Sequence, residues 1–182
     1  MAGPPRSPLV RPSSTESHLA LWAKSLLNAS LFFAIFMLAL PWGAHRLLAA
    51  SLLVPPELGV PVGAVLFVGG IAVWVYCLDV FSRRSGGTPF PLDAPRQLAT
   101  TGPFAVVRNP IMAGELAVIW GEAVWFASAG ILLYAAILSL IAALVVRLIE
   151  EPELRERFGE QYETYTRRVP RWFPRLRRQP SA

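Results

Sequence analysis

Residues 111–149 read IMAGELAVIWGEAVWFASAGILLYAAILSLIAALVVRLI, and the fold turns on how that run is divided. About 20 helical residues cross the hydrocarbon core of a bilayer, so nearly forty apolar residues are enough for two spans. Ser128, Ala129 and Gly130 sit near the middle. The economical reading is a tight helical hairpin with arms at about 111–127 and 131–149. The first arm is short for a core of ~30 Å, so it should tilt little or start among the headgroups.

Upstream lies the longest polar stretch, RRSGGTPFPLDAPRQLATTGPFAVVRNP, residues 83–110. Its Gly and Pro content predicts irregular backbone, which must stay outside the hydrocarbon because lipid offers no partners for free N–H and C=O groups. A second span precedes it, from about Gly59 to Phe81, with Asp79 near its end. Residues 44–54 (AHRLLAASLLV), closed by Pro55 and Pro56, reach only about 16 Å as a helix. They are expected at the interface or as a re-entrant segment. The first span covers roughly 19–41 and ends near Pro41 and Gly43. It is too long for the apolar part of a signal peptide, and no small-x-small cleavage site follows it. Residues 1–17 (MAGPPRSPLVRPSSTES) are Pro- and Ser-rich without periodicity and read as a disordered tail. Residues 18–182 then form one domain.

Downstream of Glu150 the chain becomes highly charged. Leu154, Phe158, Tyr162, Tyr165 and Val169 recur at spacings of four, four, three and four. That pattern places them on one face of an amphipathic helix lying on the membrane. The fold class is all-α: a polytopic membrane protein of about four spanning helices, the last two a hairpin, with a C-terminal interfacial helix.

Composition agrees. Of the residues, 54% are hydrophobic and 16% charged, against roughly 25% charged in a soluble domain. The net charge of +5 sits beside apolar runs, so anionic lipid headgroups, and not nucleic acid, are the expected counterpart. Of 17 Lys and Arg residues only Arg46 falls between the first two spans, and the Ser128–Gly130 turn has none. The other 16 lie in or beside the N-terminal tail, the 83–110 loop and the C-terminal tail. Four spans put those regions on one side, and the positive-inside rule makes it cytoplasmic. A multi-pass protein of a bacterial inner membrane, with both termini cytoplasmic, is expected. Cys77 is the only cysteine, so no intrachain disulfide can form, and two histidines far from it give no metal-ligand spacing.

Two segments are costly for a mere scaffold. In the first, Thr101-Gly102-Pro103-Phe104 runs into Arg108-Asn109-Pro110 and Gly114. Asn109-Pro110 reads as a helix start, Asn capping and Pro in the first turn. The free N–H groups there make an anion site to which Arg108 adds charge, although a well-capped span start with a snorkelling arginine would look the same. The second is Glu150-Glu151-Pro152, at the exit of the last span. Pro152 cannot donate to the carbonyl of Leu148, so a kink is expected. Two acids beside an opened helix can hold an amine, a ribose diol or a cation, or merely start a solvated helix. Both segments lie at the cytoplasmic boundary and can meet. Glu115 and Glu122, seven apart, share a face of the third span, and acids at such depth face the protein interior. Trp120, Trp125, Trp172 and Phe173 read as interface anchors.

At these residues the sequence resembles the membrane methyltransferases related to isoprenylcysteine carboxyl methyltransferase and phospholipid N-methyltransferases. The matching stretches are LATTGPFAVVRNPIMAG (98–114) and EEPELRERFGEQYETYTRRVPRWFP (150–174), with a hairpin of the right length between them. They cover roughly 40% of the chain, and the paired pattern is more specific than either half. The resemblance implies S-adenosylmethionine bound at the cytoplasmic face in a pocket built from 96–114 and 147–174. It implies contacts to that cofactor from Leu98, Ala99, Phe104, Asn109, Pro110, Ile111, Met112 and Glu150. Arg108, Arg147 and Glu151 are then the candidate catalytic residues, and Glu115 joins the acid pair as a candidate proton acceptor for an amine. The acceptor would be a lipid or lipophilic small molecule entering sideways from the bilayer.

Two departures stand out. Met112 replaces the tyrosine common in the family, removing a ring and a hydroxyl. Arg147 lies one residue out of register with the arginine that holds the substrate carboxylate in isoprenylcysteine enzymes, with Val146 in its place, so carboxylate specificity is not carried over. Two rival readings share the architecture. Sterol reductases use a reduced nicotinamide cofactor and carry additional N-terminal spans, which 182 residues are not expected to supply. A non-catalytic membrane scaffold or assembly protein would keep the fold with a decayed pocket.

Overall fold

The computed structural model describes residues 23, 27–28, 30–85 and 97–174. The expected N-terminal tail, most of the first span before residue 30 and the middle of the 83–110 loop lie outside them. The described chain is helical. Helix α1 runs Ser30–Leu47, α2 Pro56–Ser85, α3 Pro110–Trp125 and α4 Ala129–Val145. Helix α4 continues through a widened turn, Val146–Glu150, into α5 (Glu151–Phe158), and α6 (Glu160–Arg168) follows. Ser30–Leu47, Pro56–Phe81 and Ala129–Phe158 are long and apolar enough to cross a membrane. With 16 residues α3 is shorter, about 24 Å at 1.5 Å per residue, as its sequence predicts. The hairpin turn falls at 126–128.

Prolines explain two departures from regular α-helix. Within α1, Phe33–Ala39 is π-helical and Leu40 N–H donates to Ile35 O, five residues back; Pro41 comes next. Before α5 the pattern repeats: Glu151 N–H donates to Val146 O, and Pro152 follows. A proline inside a helix lacks a donor and crowds the carbonyl four residues back. Adding a residue to the preceding turn absorbs both defects and keeps the helix continuous. The expected end of the first span at Pro41 is therefore corrected to Leu47, whereas the disturbance expected at Pro152 is present as a π turn.

Residues 44–54 also differ from expectation. Residues 44–47 complete α1, and the rest is non-helical chain, too short to span as expected. It returns to the hairpin turn: Leu52 N–H donates to Ala127 O (2.6 Å), Ala129 N–H to Ala50 O (2.9 Å), and Ser51 bridges Ser128. Backbone with no helical partners is thereby satisfied. His45 Nδ1 and Ser128 Oγ share a hydrogen bond of 2.8 Å, while Ser128 Oγ also caps α4 by accepting from Ile131 N–H.

The bundle is held by close backbone approach between α2 and α3. Gly63 and Gly70 face Gly121 and Gly114, each pair seven residues apart on antiparallel helices. A Cβ on Gly70 would stand 2.7 Å from Gly114 O, and one on Gly121 would stand 2.8 Å from Gly63 O. Small residues at such seams let apolar helices gain dispersion contact where lipid removes the hydrophobic drive. Against this pair, Met37 of α1 and Ile131 and Ala135 of α4 close a core around Val118, Ile119 and Ala123.

Candidate active site

The end of the bundle opposite the hairpin turn gathers the two segments singled out in the sequence. Thr101 leads into a 3-10 turn, Gly102–Ala105, which Gly102 can enter because its φ of +60° suits a residue without Cβ. That turn buries Phe104 against Phe81, with ring centroids 5.9 Å apart. Phe104 shares its cluster with Ala99 and Cys77. Pro110 occupies the first turn of α3 as predicted, and Ile111 packs on Trp74 and Leu78.

The acid pair meets this segment. Arg108 Nη1 lies 3.1 Å from Glu151 Oε1, with the two side chains 12% and 4% exposed. The contact is an ion pair without hydrogen-bond alignment, since Arg108 Nε and Nη1 are buried and make no directed bond among the described residues. The directed bonds come from Arg171, a residue of the tail that the sequence reading passed over. Its Nε donates to Glu151 Oε1 (2.6 Å) and its Nη2 to Oε2 (2.8 Å). Arg155 adds a third cation at 3.5 Å. The hydrogen bond to Glu151 holds the Arg171 guanidinium even more firmly protonated than usual. One carboxylate thus sits among three guanidinium groups, an arrangement that burial tolerates only because the charge is met.

The tail also occupies the start of α3. Arg108 N–H donates to Pro170 O (2.8 Å) and Asn109 N–H to Arg171 O (3.3 Å). Asn109 Nδ2 donates to the same Arg171 oxygen at 3.2 Å, and its side chain makes no cap bond. One expectation is corrected here. Asn109 turns its amide to the tail and does not cap α3, and the main-chain N–H groups of Arg108 and Asn109, just ahead of the first turn, are taken by carbonyls of the tail. The amphipathic stripe likewise serves the protein. Tyr162, Tyr165 and Val169 are buried with Leu98, Leu154 and Phe158, and Tyr165 Oη donates to Phe104 O at 2.6 Å. Burial pushes both tyrosine hydroxyls above their ordinary range. Gly159, at φ +51°, divides the single helix expected there into α5 and α6.

Beside this cluster is a cavity of about 370 Å³ lined by Gln97, Leu98, Ala99, Thr100, Thr101, Phe158 and Gln161, within the roughly 300–1,000 Å³ of small-molecule sites. Amides, hydroxyls and one aromatic ring suit a heterocycle with polar edges. Of the expected residues, Leu98 and Ala99 line the cavity; Phe104 and Pro110 are buried, and Asn109, Ile111, Met112 and Glu150 are half-buried. Arg108 and Glu151 come together. Arg147 does not join them: it is exposed, and Val146 takes the buried position. Glu150 makes no ion pair among the described residues. In α3, Glu115 accepts from Trp74 Nε1 at 3.0 Å, and Glu122 is buried with one oxygen unpartnered among the described residues.

Residues 58–161 match the model of the phospholipid methyltransferase family. Over 74 residues the chain is 40% identical to methanethiol S-methyltransferase 2 of Bradyrhizobium diazoefficiens, across 40% of this chain and 27% of that protein. The aligned part is thus about a quarter of that relative's length. No solved structure matches.

Proposed function

The chain belongs to the phospholipid methyltransferase family, and from that premise we propose that it transfers a methyl group from S-adenosylmethionine to a lipophilic or membrane-associated acceptor at the cytoplasmic face. The observation that carries the reading is the 3.1 Å approach of Arg108 to Glu151. It joins the loop entering α3 to the acid pair leaving α4, residues 43 apart in sequence, beside a cavity fit for a nucleoside.

The residues present fit the donor. The cavity offers Phe158 as a stacking face and Gln97 and Gln161 as edge-reading amides. Of the expected contacts Leu98 and Ala99 line the cavity; Phe104, Asn109, Pro110, Ile111 and Met112 follow in the same segment and would complete the donor's surroundings, and Glu150, which makes no ion pair among the described residues, suits a positively charged ligand best. When bound, the donor supplies an electrophilic methyl on a sulfonium. Transfer is an in-line displacement, so the protein's work is chiefly alignment. Arg108 and Glu151 contribute by fixing the walls, because their charges are spent on each other and on the tail. An amine or thiol acceptor must lose a proton, and Glu115, held by Trp74, and Glu150 are the acids positioned to take it. A carboxylate acceptor would need a free cation at the site, and Arg147 stands outside it, which favours an amine or a thiol. The name of the Bradyrhizobium relative keeps a small thiol among the candidates.

Incubating the purified protein with methyl-labelled S-adenosylmethionine and membrane extract tests the proposal. Label is expected in the lipid or small-molecule fraction, and calorimetry should show donor binding. No binding under native conditions would overturn it.

A further inference from the structure

We propose that Arg171 is a positioning residue of the donor site, setting the spacing between the start of α3 and the acid pair. The proposal rests on the donor reading above. The two walls of the site belong to different helices whose chain connection is at the far end of the hairpin, about 24 Å away along α3. Within the hairpin, Trp120 Nε1 donates to Ser139 Oγ (3.1 Å), and the spacing of the near ends is set by what meets beyond that bond. Among the described residues, Arg171 hydrogen-bonds to both walls. Its carbonyl accepts from Asn109 N–H and Nδ2 (3.3 and 3.2 Å), and its guanidinium grips both oxygens of Glu151 (2.6 and 2.8 Å).

Its neighbours hold it in register. Val169 is buried, Pro170 O accepts from Arg108 N–H (2.8 Å), and Tyr165 is tied to Phe104 O (2.6 Å). The planar fork matters as much as the charge, because two parallel bonds fix the rotation of the carboxylate and a point charge does not. Fixing Glu151 fixes the turn that carries Glu150, and the Arg171 carbonyl aims the Asn109 amide. The residue therefore acts on the donor through Asn109 and Glu150, without touching it. Removing the side chain leaves Glu151 paired to Arg108 and Arg155, so loss of positioning is separable from loss of fold.

The test compares the full-length wild type with Arg171→Ala, Arg171→Lys, Asn109→Ala, the double variant Asn109→Ala/Arg171→Ala and, as control, the exposed neighbour Arg168→Ala. Affinity for S-adenosylmethionine is measured by calorimetry beside the unfolding midpoint in the same detergent. Arg171→Ala should weaken donor binding at least tenfold and Arg171→Lys by a smaller factor, with midpoints within a few degrees and Arg168→Ala unchanged. Arg171→Ala keeps the main-chain carbonyl but frees the tail segment that the guanidinium anchors, so Asn109→Ala should weaken binding in the wild type and add little to Arg171→Ala, a coupling that mere loss of stability would not produce. Unchanged affinity in Arg171→Ala, or fully additive effects in the double variant, would overturn the proposal while leaving the donor reading intact. If Arg171→Ala does not fold, wild-type affinity in Arg171→Lys overturns it instead. A wild type that binds no donor ends both readings at once.

Discussion

The two ends of the bundle are closed in opposite ways. At the hairpin end, residues 48–54 return to the turn through backbone bonds, and His45 of α1 shares a side-chain hydrogen bond with Ser128. At the other end, the C-terminal tail returns to the start of α3, and there the closure is ionic: Arg108, Arg155 and Arg171 around Glu151. Closure by hydrogen bonds alone needs only satisfied backbone and leaves nothing over. Ionic closure at a buried carboxylate brings more cations than it needs, and it borders the cavity. The electrostatic cost of the fold is thus carried at the end that gathers the candidate site.

The largest expected effect comes from removing the centre of the ionic end. Glu151→Gln leaves three guanidinium groups facing one another, and loss of one member of a buried pair costs about 3–5 kcal/mol. A large fall in the detergent-unfolding midpoint and loss of donor binding are expected, and near wild-type stability would break the comparison. Next is the seam that joins the two ends. Gly70→Val forces a side chain against the Gly114 carbonyl, with a cost of about 1–3 kcal/mol or more, read as a lowered midpoint.

Ser128→Ala sharpens the contrast from the hydrogen-bonded end. It removes the α4 cap and the partner of His45, about 1 kcal/mol, and should leave donor affinity unchanged. The smallest effect is Tyr165→Phe, which loses one hydrogen bond to Phe104 O, about 1 kcal/mol. It also carries a pH signature. Burial raises the folded hydroxyl above its unfolded value, so the folded state keeps the proton longer. The stability due to that group is fully present below the unfolded value, about 10, and is lost as pH rises beyond it. Midpoints measured from neutral to strongly alkaline pH should fall less steeply in Tyr165→Phe than in the wild type.

Much of this was legible in the chain. The apolar runs marked the helices, Ser128–Gly130 marked the turn to within two residues of its place at 126–128, and the spacing of Tyr162, Tyr165 and Val169 marked one face. The meeting of Arg108 with the acid pair was also foreseen from the order of the segments. The stripe's partner was not, because an amphipathic face shows what it hides and not what covers it. Pro41 misled for a different reason: a proline's defect can be absorbed by a π turn as readily as by a helix end. Gly63, Gly70, Gly114 and Gly121 carry an equal spacing of seven that could have suggested the seam, but only once α2 and α3 are known to be neighbours.

The sequence by itself determined which segments are helical and apolar, since transfer to lipid and backbone satisfaction are properties of each stretch alone. The tertiary structure decided that Arg171 grips Glu151, that Asn109 turns to the tail instead of capping its helix, and that Arg147 faces outward. Those outcomes depend on which groups, distant in the chain, arrive at the same place with free valences, and no local period records that.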